Sequence, residues 1–172
     1  IEAAAKVVYR EFQPTPQYRW ALTSQRLGTD CWIKHENHTP TGAFKVRGGI
    51  VYMDALKRSG IEVAGVITAT RGNHGQSIAR AATAVGIKAT IVVPFGNSVE
   101  KNQAMRGFGA ELIEHGADFD EARAEAARLA GERNLHMVPS FDTGLVKGVA
   151  TYALEFFRST PPLDAVFVPI GL

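Results

Sequence analysis

Residues 39–49 read Thr-Pro-Thr-Gly-Ala-Phe-Lys-Val-Arg-Gly-Gly, a turn that leads into a helix. Pro40 fixes its own φ and favours an extended Thr39. Thr41 is the predicted N-cap, because apolar residues recur at helical spacing behind it. Lys45 is therefore expected in the first helical turn, where the helix dipole disfavours a buried cation. If packed, its amine titrates low and can act as a nucleophile; if exposed, it is an ordinary surface lysine.

A second unusual stretch, residues 68–77, reads Thr-Ala-Thr-Arg-Gly-Asn-His-Gly-Gln-Ser. It follows an apolar, β-branched segment and precedes a helical pattern, so it predicts a turn at the N-terminus of a helix. Free backbone N–H groups at such a terminus bind anions. Two residues also have simpler interpretations, Thr70 as a helix cap and Asn73 as a turn residue.

Together the two stretches resemble motifs of the pyridoxal-phosphate enzymes of the tryptophan-synthase β type (fold type II), most closely the threonine/serine dehydratases and serine racemases. In that family the cofactor lysine lies in Pro-Thr-Gly-small-Phe-Lys-x-Arg-Gly, and a second loop reads Ser/Thr-x-Gly-Asn-His. Both motifs are present here in that order. The resemblance implies an α/β fold of two domains, with parallel sheets flanked by helices.

The resemblance also implies roles for individual residues. Lys45 would form a Schiff base with the aldehyde of pyridoxal 5'-phosphate and then remove the substrate α-proton. Asn73 would bond the cofactor ring hydroxyl, and Phe44 would pack near the cofactor, although a plain core aromatic explains Phe44 equally well. The residues expected to bind the substrate carboxylate are Thr70, Arg71, Gly72 and His74.

Three positions depart from the family pattern. Ala43 stands where the dehydratases commonly have Ser, and Arg71 stands where the racemases have Ser. Residues 148–151, Gly-Val-Ala-Thr, lack the Gln of the family's Gly-Gln-Gly-Thr. Arg71 is either a solvated loop cation or a partner for a second acidic group on the substrate, which its planar fork could bind.

The implied function is a lyase of amino-acid metabolism that converts a β-hydroxy, threonine- or serine-like, amino acid to a 2-oxo acid and ammonia. Other reactions of the same family (threonine synthesis, β-replacement, racemisation) remain open. A non-catalytic anion-binding α/β module is the alternative from a different class. The intact Lys45 favours an enzyme, because a binding module has no use for that amine.

The remaining pattern alternates strands with helices. An N-terminal helix is predicted at 3–12, a loop or short helix at 20–27, a strand at 31–36 and a helix from the lysine turn to about 57. Further strands are predicted at 63–68, 88–93, 110–114, 135–138 and 165–168, and helices at 74–85, 98–106, 118–133 and 143–158. Asp118 and Glu121 have capping-box spacing. Such alternation predicts a parallel sheet covered on both faces.

The resemblance further divides the chain. Residues 1–57 would belong to a larger cofactor domain, 58–142 would form a smaller βα domain, and 143–172 would begin the rest of the larger one. Gly171 would be the first glycine of the family's phosphate loop. The remainder of that loop, the partner of the pyridine nitrogen and the usual metal-binding region are expected beyond residue 172.

Composition limits the partners. The net charge is only +2 and the cations are scattered, so a nucleic-acid partner is not expected. Apolar runs are too short for a membrane span, and the five histidines show no metal-ligand spacing. Cys31 is the only cysteine, which excludes an internal disulfide and fits the cytoplasm. The expected partners are a small amino-acid substrate and, by resemblance, further copies of the chain.

Overall fold

The computed structural model describes residues 1–169. The helices are α1 (Glu2–Val8), α2 (Ala21–Leu27), α3 (Lys45–Arg58), α4 (Asn73–Ala84), α5 (Val99–Gly107), α6 (Phe119–Glu132), α7 (Thr143–Val149) and α8 (Thr151–Ser159). The strands are β1 (Gln17–Arg19), β2 (Trp32–Lys34), β3 (Gly65–Ala69), β4 (Ala89–Val93), β5 (Glu111–Glu114) and β6 (Leu135–Met137), and a 3-10 turn spans Glu36–His38.

The predicted parallel sheet is confirmed, with strand order β5-β4-β3-β6. Every residue of the two central strands is buried. Val66 packs with side chains of α3, α4 and α5 on one face, whereas Ile67 and Ala69 pack with α6 on the other. The continuous apolar runs of the central strands therefore reflect burial on both faces.

Helix α3 approaches its neighbours closely through its two glycines. A Cβ atom on Gly48 would lie 2.8 Å from the carbonyl oxygen of Leu145 in α7, and one on Gly49 would lie 2.9 Å from that of Ser77 in α4. The Ser77 hydroxyl also donates to the Lys45 carbonyl oxygen at 2.7 Å. The Gly-Gly pair of the lysine motif thus permits tight helix packing, which fixes the start of α3.

The predicted N-cap at Thr41 is wrong. Phe44 occupies the N-cap position and makes no side-chain capping bond. The Thr39 hydroxyl instead accepts from the Ala43 N–H at 2.9 Å and donates to the Ala43 carbonyl oxygen at 2.8 Å. Because these bonds close the turn from Thr39 to Ala43, with Gly42 at φ +66°, the helix begins only at Lys45.

The single helix predicted at 143–158 is broken into α7 and α8 at Ala150. The Thr151 hydroxyl donates to the Gly148 carbonyl oxygen at 2.7 Å, and such local bonds compete with the helical ladder. Gly148 also lies against α3, where a Cβ atom would come within 2.7 Å of Gly48 Cα. The break therefore accompanies the close α3–α7 contact.

Residues 165–168 do not form the predicted strand; they are irregular and exposed, and no strand within residues 1–169 pairs with them. An extended segment becomes a strand only when its backbone groups find partners. Gly171 lies outside the described residues.

The N-terminal elements are shorter than predicted, since α1 ends at Val8 and the 31–36 strand is reduced to β2. Strand β2 pairs antiparallel with β1, which was not predicted.

The Asp118 side chain caps α6 by accepting from the Glu121 N–H at 3.0 Å, whereas the Glu121 carboxylate accepts from the Ala117 N–H instead of the Asp118 N–H. The division into domains at 57 and 142 stays a prediction. Throughout residues 1–169, every helix is too short or too polar to cross a bilayer.

Candidate active site

A cavity of about 920 Å³ lies at the carboxyl ends of the adjacent strands β3 and β6. The loop after β3 (residues 70–72) and the segment after β6 (residues 138–140) form part of its wall. Phe44 and Lys45, at the start of α3, form another part. Ligands of parallel α/β sheets bind at this edge, where the loops converge.

All the residues that the sequence predicted for the site line this one cavity: Phe44, Lys45, Thr70, Arg71, Gly72, Asn73 and His74. The two sequence motifs, which lie more than twenty residues apart in the chain, therefore meet in space. Their contacts to a cofactor or a substrate stay predictions.

Lys45 is the first residue of α3 and is partly buried. Burial lowers the pKa of its amine, because the charged form loses hydration. Its backbone is held through the carbonyl bond to Ser77. The lysine is thus packed and not a solvated surface side chain, and a larger share of it is the neutral, nucleophilic amine than for an exposed lysine.

The loop at the start of α4 is organised by Thr70. Its buried hydroxyl accepts hydrogen bonds from the N–H groups of Gly72 at 3.0 Å and Gly75 at 3.3 Å, which is the role of a cap. The backbone N–H groups of Arg71, Asn73 and His74 have no hydrogen-bond acceptor among residues 1–169. Unpaired N–H groups at a helix N-terminus provide a site for an anion such as a carboxylate.

His74 is buried and held by the end of β3. Its Nε2 lies 3.2 Å from the Thr68 hydroxyl oxygen, and that hydroxyl donates to the Val138 carbonyl oxygen at 2.9 Å. Since the hydroxyl hydrogen is committed to Val138, Nε2 carries the ring proton and donates to Thr68. Burial, with a contribution from the charge of Lys45, lowers the pKa of His74 to about 4, so the ring is neutral at pH 7.

The sequence matches the family model described as "Pyridoxal-phosphate dependent enzyme" over residues 8–172. The chain belongs to this family. It is 42% identical over 165 residues to the biosynthetic L-threonine dehydratase of Haemophilus influenzae. The aligned residues cover 95% of this chain and 32% of that protein. The chain thus spans about a third of the length of such curated relatives.

Solved structures support the same family assignment. A pyridoxal 5'-phosphate-dependent aspartate racemase superposes with a TM-score of 0.89 at 28% identity, over 95% of this chain and 51% of that one. The processed form of threonine deaminase isoform 2 from Solanum lycopersicum superposes with a TM-score of 0.83 at 33% identity. The match covers 92% of this chain and 47% of that one. The predicted fold class, fold type II, is therefore confirmed.

The cavity fits the family's cofactor in its charge and chemistry. Among the described residues that line it, none is Asp or Glu, whereas Arg71, Lys101 and Arg123 are cationic and Lys45 supplies an amine whose pKa is lowered by burial. An aldehyde requires a neutral amine, and a phosphate or carboxylate requires N–H donors and positive charge. The lowered pKa of Lys45 favours the neutral amine, and the N–H groups at the start of α4 together with the other cations supply the donors and the positive charge.

Several lining residues were missed by the sequence analysis: Lys101 from α5, Phe119 and Arg123 from α6, Met137 at the end of β6, and Val138, Pro139 and Ser140 after it. The aliphatic part of Lys101 crosses the loop, since a Cβ atom on Gly72 would lie 2.6 Å from Lys101 Cδ. The residues at and after the end of β6 could have been predicted, because the carboxyl ends of neighbouring parallel strands lie at the same edge of the sheet. The order of the strands, however, cannot be read from the spacing of the motifs.

His74 should make the stability of the fold depend on pH. Its pKa is about 4 in the folded protein against 6.5 ordinarily, so the unfolded chain binds this proton more readily. The contribution is complete above pH 6.5 and is lost as the pH falls towards 4, by about 3 kcal/mol. Urea unfolding between pH 4 and 7 measures it, and His74→Asn should flatten the profile. An unchanged profile in that variant would assign the dependence to other groups.

Proposed function

We propose that the protein containing this chain is a pyridoxal-phosphate-dependent ammonia-lyase that converts a threonine-like β-hydroxy amino acid to a 2-oxo acid and ammonia. One observation carries the proposal: an amine of lowered pKa lines the same cavity as a helix terminus whose N–H groups have no acceptor among residues 1–169. The threonine dehydratases among the relatives, at 34–42% identity, support this substrate class.

Pyridoxal phosphate, when bound, withdraws electrons from the α-carbon of an attached amino acid. In this proposal the neutral Nζ of Lys45 accepts the proton from that carbon. A general base works best when its pKa lies near the working pH, and burial shifts Lys45 in this direction. The packing of α3 against Ser77 holds the backbone of this base in place.

The loop at the start of α4 is proposed to bind the substrate carboxylate through its unpaired N–H groups. The Thr70 hydroxyl accepts two loop N–H bonds, and its own hydrogen has no acceptor among residues 1–169, so it can donate to the same carboxylate. The side chain of Asn73 is exposed to the cavity and is proposed to hold the cofactor ring hydroxyl. Phe44, whose ring centroid lies 5.8 Å from that of Tyr152, is proposed to pack beside the cofactor.

The direct test uses the complete protein with added pyridoxal phosphate and a panel of L-threonine, L-serine and other β-substituted amino acids. We expect stoichiometric 2-oxo acid and ammonia from a β-hydroxy amino acid. Retained cofactor with products of β-replacement or racemisation would assign another reaction of the family. If the protein neither retains the cofactor nor turns over any of these amino acids, the result would indicate the anion-binding module.

Two substitutions separate cofactor contacts from substrate contacts. Thr70→Ala should mainly raise KM, because one hydrogen bond to a charged carboxylate contributes about 1.5–3 kcal/mol. Asn73→Ala should instead weaken cofactor binding and shift its absorbance. Steady-state kinetics and cofactor titration measure the two effects. Unchanged values in both variants would mean that this loop is only structural.

The proposed partner is a small amino-acid substrate. The proposals of a cytoplasmic location and a homo-oligomer rest on the family resemblance and on the single cysteine. In residues 1–169, groups of three or more His, Cys, Asp or Glu side chains that could hold a metal ion are absent.

A further inference from the structure

A buried polar cluster lies outside the cavity, centred on Arg47 of the lysine motif. The Arg47 side chain is fully buried and binds two carboxylates, one from Glu36 and one from Glu155. Its Nε and Nη2 donate to the two oxygens of Glu36 at 2.7 and 2.9 Å. Its Nη1 and Nη2 donate to the two oxygens of Glu155 at 2.5 and 2.9 Å.

The cluster is complete in charge and hydrogen bonding. Arg47 Nη1 also donates to the Thr151 hydroxyl at 3.0 Å, so every N–H of the guanidinium has an acceptor. Lys34 Nζ lies 2.6 Å from Glu155 and donates to the Thr15 carbonyl oxygen at 2.7 Å. Two cations therefore balance two carboxylates within the interior.

The Glu36–Arg47 pair lies on either side of Lys45 in the sequence. Glu36 begins the 3-10 turn before the lysine turn, and Arg47 lies two residues after Lys45 in α3. The bidentate pair therefore joins the two ends of the segment that carries Lys45, while Glu155 joins the same guanidinium to α8. Arg47 itself does not line the cavity, so it contacts no group that could bind there.

We propose that Arg47 is a positioning residue: by pairing with Glu36 it closes the lysine turn and holds Lys45 in its partly buried place at the cavity. The inference rests on the proposed role of Lys45. A stabilising role alone explains the cluster poorly, because a buried ion pair often contributes no more stability than an apolar replacement. The directed hydrogen bonds of Arg47 to Glu36, Glu155 and Thr151 instead fix one geometry.

The test is Arg47→Lys in the complete protein, which keeps the charge and loses the planar fork. In the cofactor-free form, the rate at which an acylating reagent labels Lys45 is followed against pH by mass spectrometry. We expect the pKa of Lys45 to rise towards its ordinary value as the side chain leaves its packed place. With cofactor, kcat should fall about 10–100-fold with little change in KM, since small misplacements of a catalytic group have effects of this size.

Matched variants complete the design. Arg128→Lys is the control, because Arg128 also makes a bidentate pair with one carboxylate (Glu125) and contacts a second, but it is exposed on α6, outside the cavity lining. It should leave both readouts unchanged. Glu36→Gln should reproduce the effect of Arg47→Lys. If Arg47→Lys does not fold, Glu36→Gln alone tests the positioning role of the pair.

A folded Glu36→Gln variant with the parental labelling profile and kcat would overturn the inference. The labelling experiment needs no turnover, so it stays separate from the proposed function. Absence of both cofactor retention and 2-oxo acid formation in the complete protein would overturn the proposed function, whatever the labelling of Lys45 shows.

Discussion

Replacing Lys45 with alanine is expected to lower turnover of the complete protein about a thousand-fold or more while leaving the fold intact. The amine is the proposed acceptor of the α-proton, and a positioned acid–base group contributes about 10²–10⁴-fold. No other lysine side chain borders both this cavity and the start of α3 among residues 1–169. Initial rates of 2-oxo acid formation measure the loss.

The fold should survive because the Gly49–Ser77 contact and the Arg47 cluster, which the substitution leaves in place, hold α3. Removing the lysine charge should also raise the pKa of His74, since that charge helps to lower it. Circular dichroism and an NMR titration of His74 check these points. Lys6→Ala, on the exposed surface of α1, is the control. Near-parental elimination by the Lys45 variant would remove Lys45 from the mechanism.

Gly49→Ala is expected to destabilise the protein by about 1–3 kcal/mol, the typical effect of an added methyl group in a tightly packed interior. The new Cβ atom would overlap the Ser77 hydroxyl and would lie 2.9 Å from the Ser77 carbonyl oxygen. Because the second contact is with backbone, rotation of the serine side chain cannot relieve it. Separation of α3 from α4 would also displace Lys45, whose carbonyl is bound by Ser77.

The matched control is Gly131→Ala. Gly131 lies within α6, and a Cβ atom there would have no neighbour within 4 Å. Alanine at this exposed position should therefore stabilise the protein by about 0.5–1 kcal/mol through its better helix propensity. Thermal denaturation of both variants measures the difference. Equal stability of the two variants would contradict the role given to the close α3–α4 contact.

Much of the fold was readable from local pattern. Strands β3 and β4 were predicted within two residues at each end, because residues buried on both faces leave a continuous apolar signal. The cap at Asp118 was found because its interaction spans only three residues. The prediction of Thr41 as the N-cap failed because Thr39, two residues earlier, competes for the same turn. Only the folded geometry shows which hydroxyl closes that turn.

The residues predicted for the site could be selected because both motifs combine chemistry with local structure, and all of them line the cavity, while their roles stay predictions. Lys45 follows a turn and Thr70 follows a strand, so each was placed at a helix terminus before the fold was known. The cations Lys101 and Arg123 were missed, since each is an ordinary surface residue by its local sequence. Only the packing of α5 and α6 beside the loop brings them to the cavity.

The sequence by itself determined the strand–helix alternation of the α/β class, the turn before Lys45 and the helix terminus that is proposed to bind an anion, because each of these depends on residues within one or two helical turns of each other. Tertiary structure alone decided the strand order β5-β4-β3-β6, the break at Ala150 and the meeting of Arg47 with Glu155. Those features depend on contacts between segments far apart in the chain, where helix and strand periodicity carries no information. The same long-range packing turns Lys45 from one lysine among many into a partly buried amine of lowered pKa.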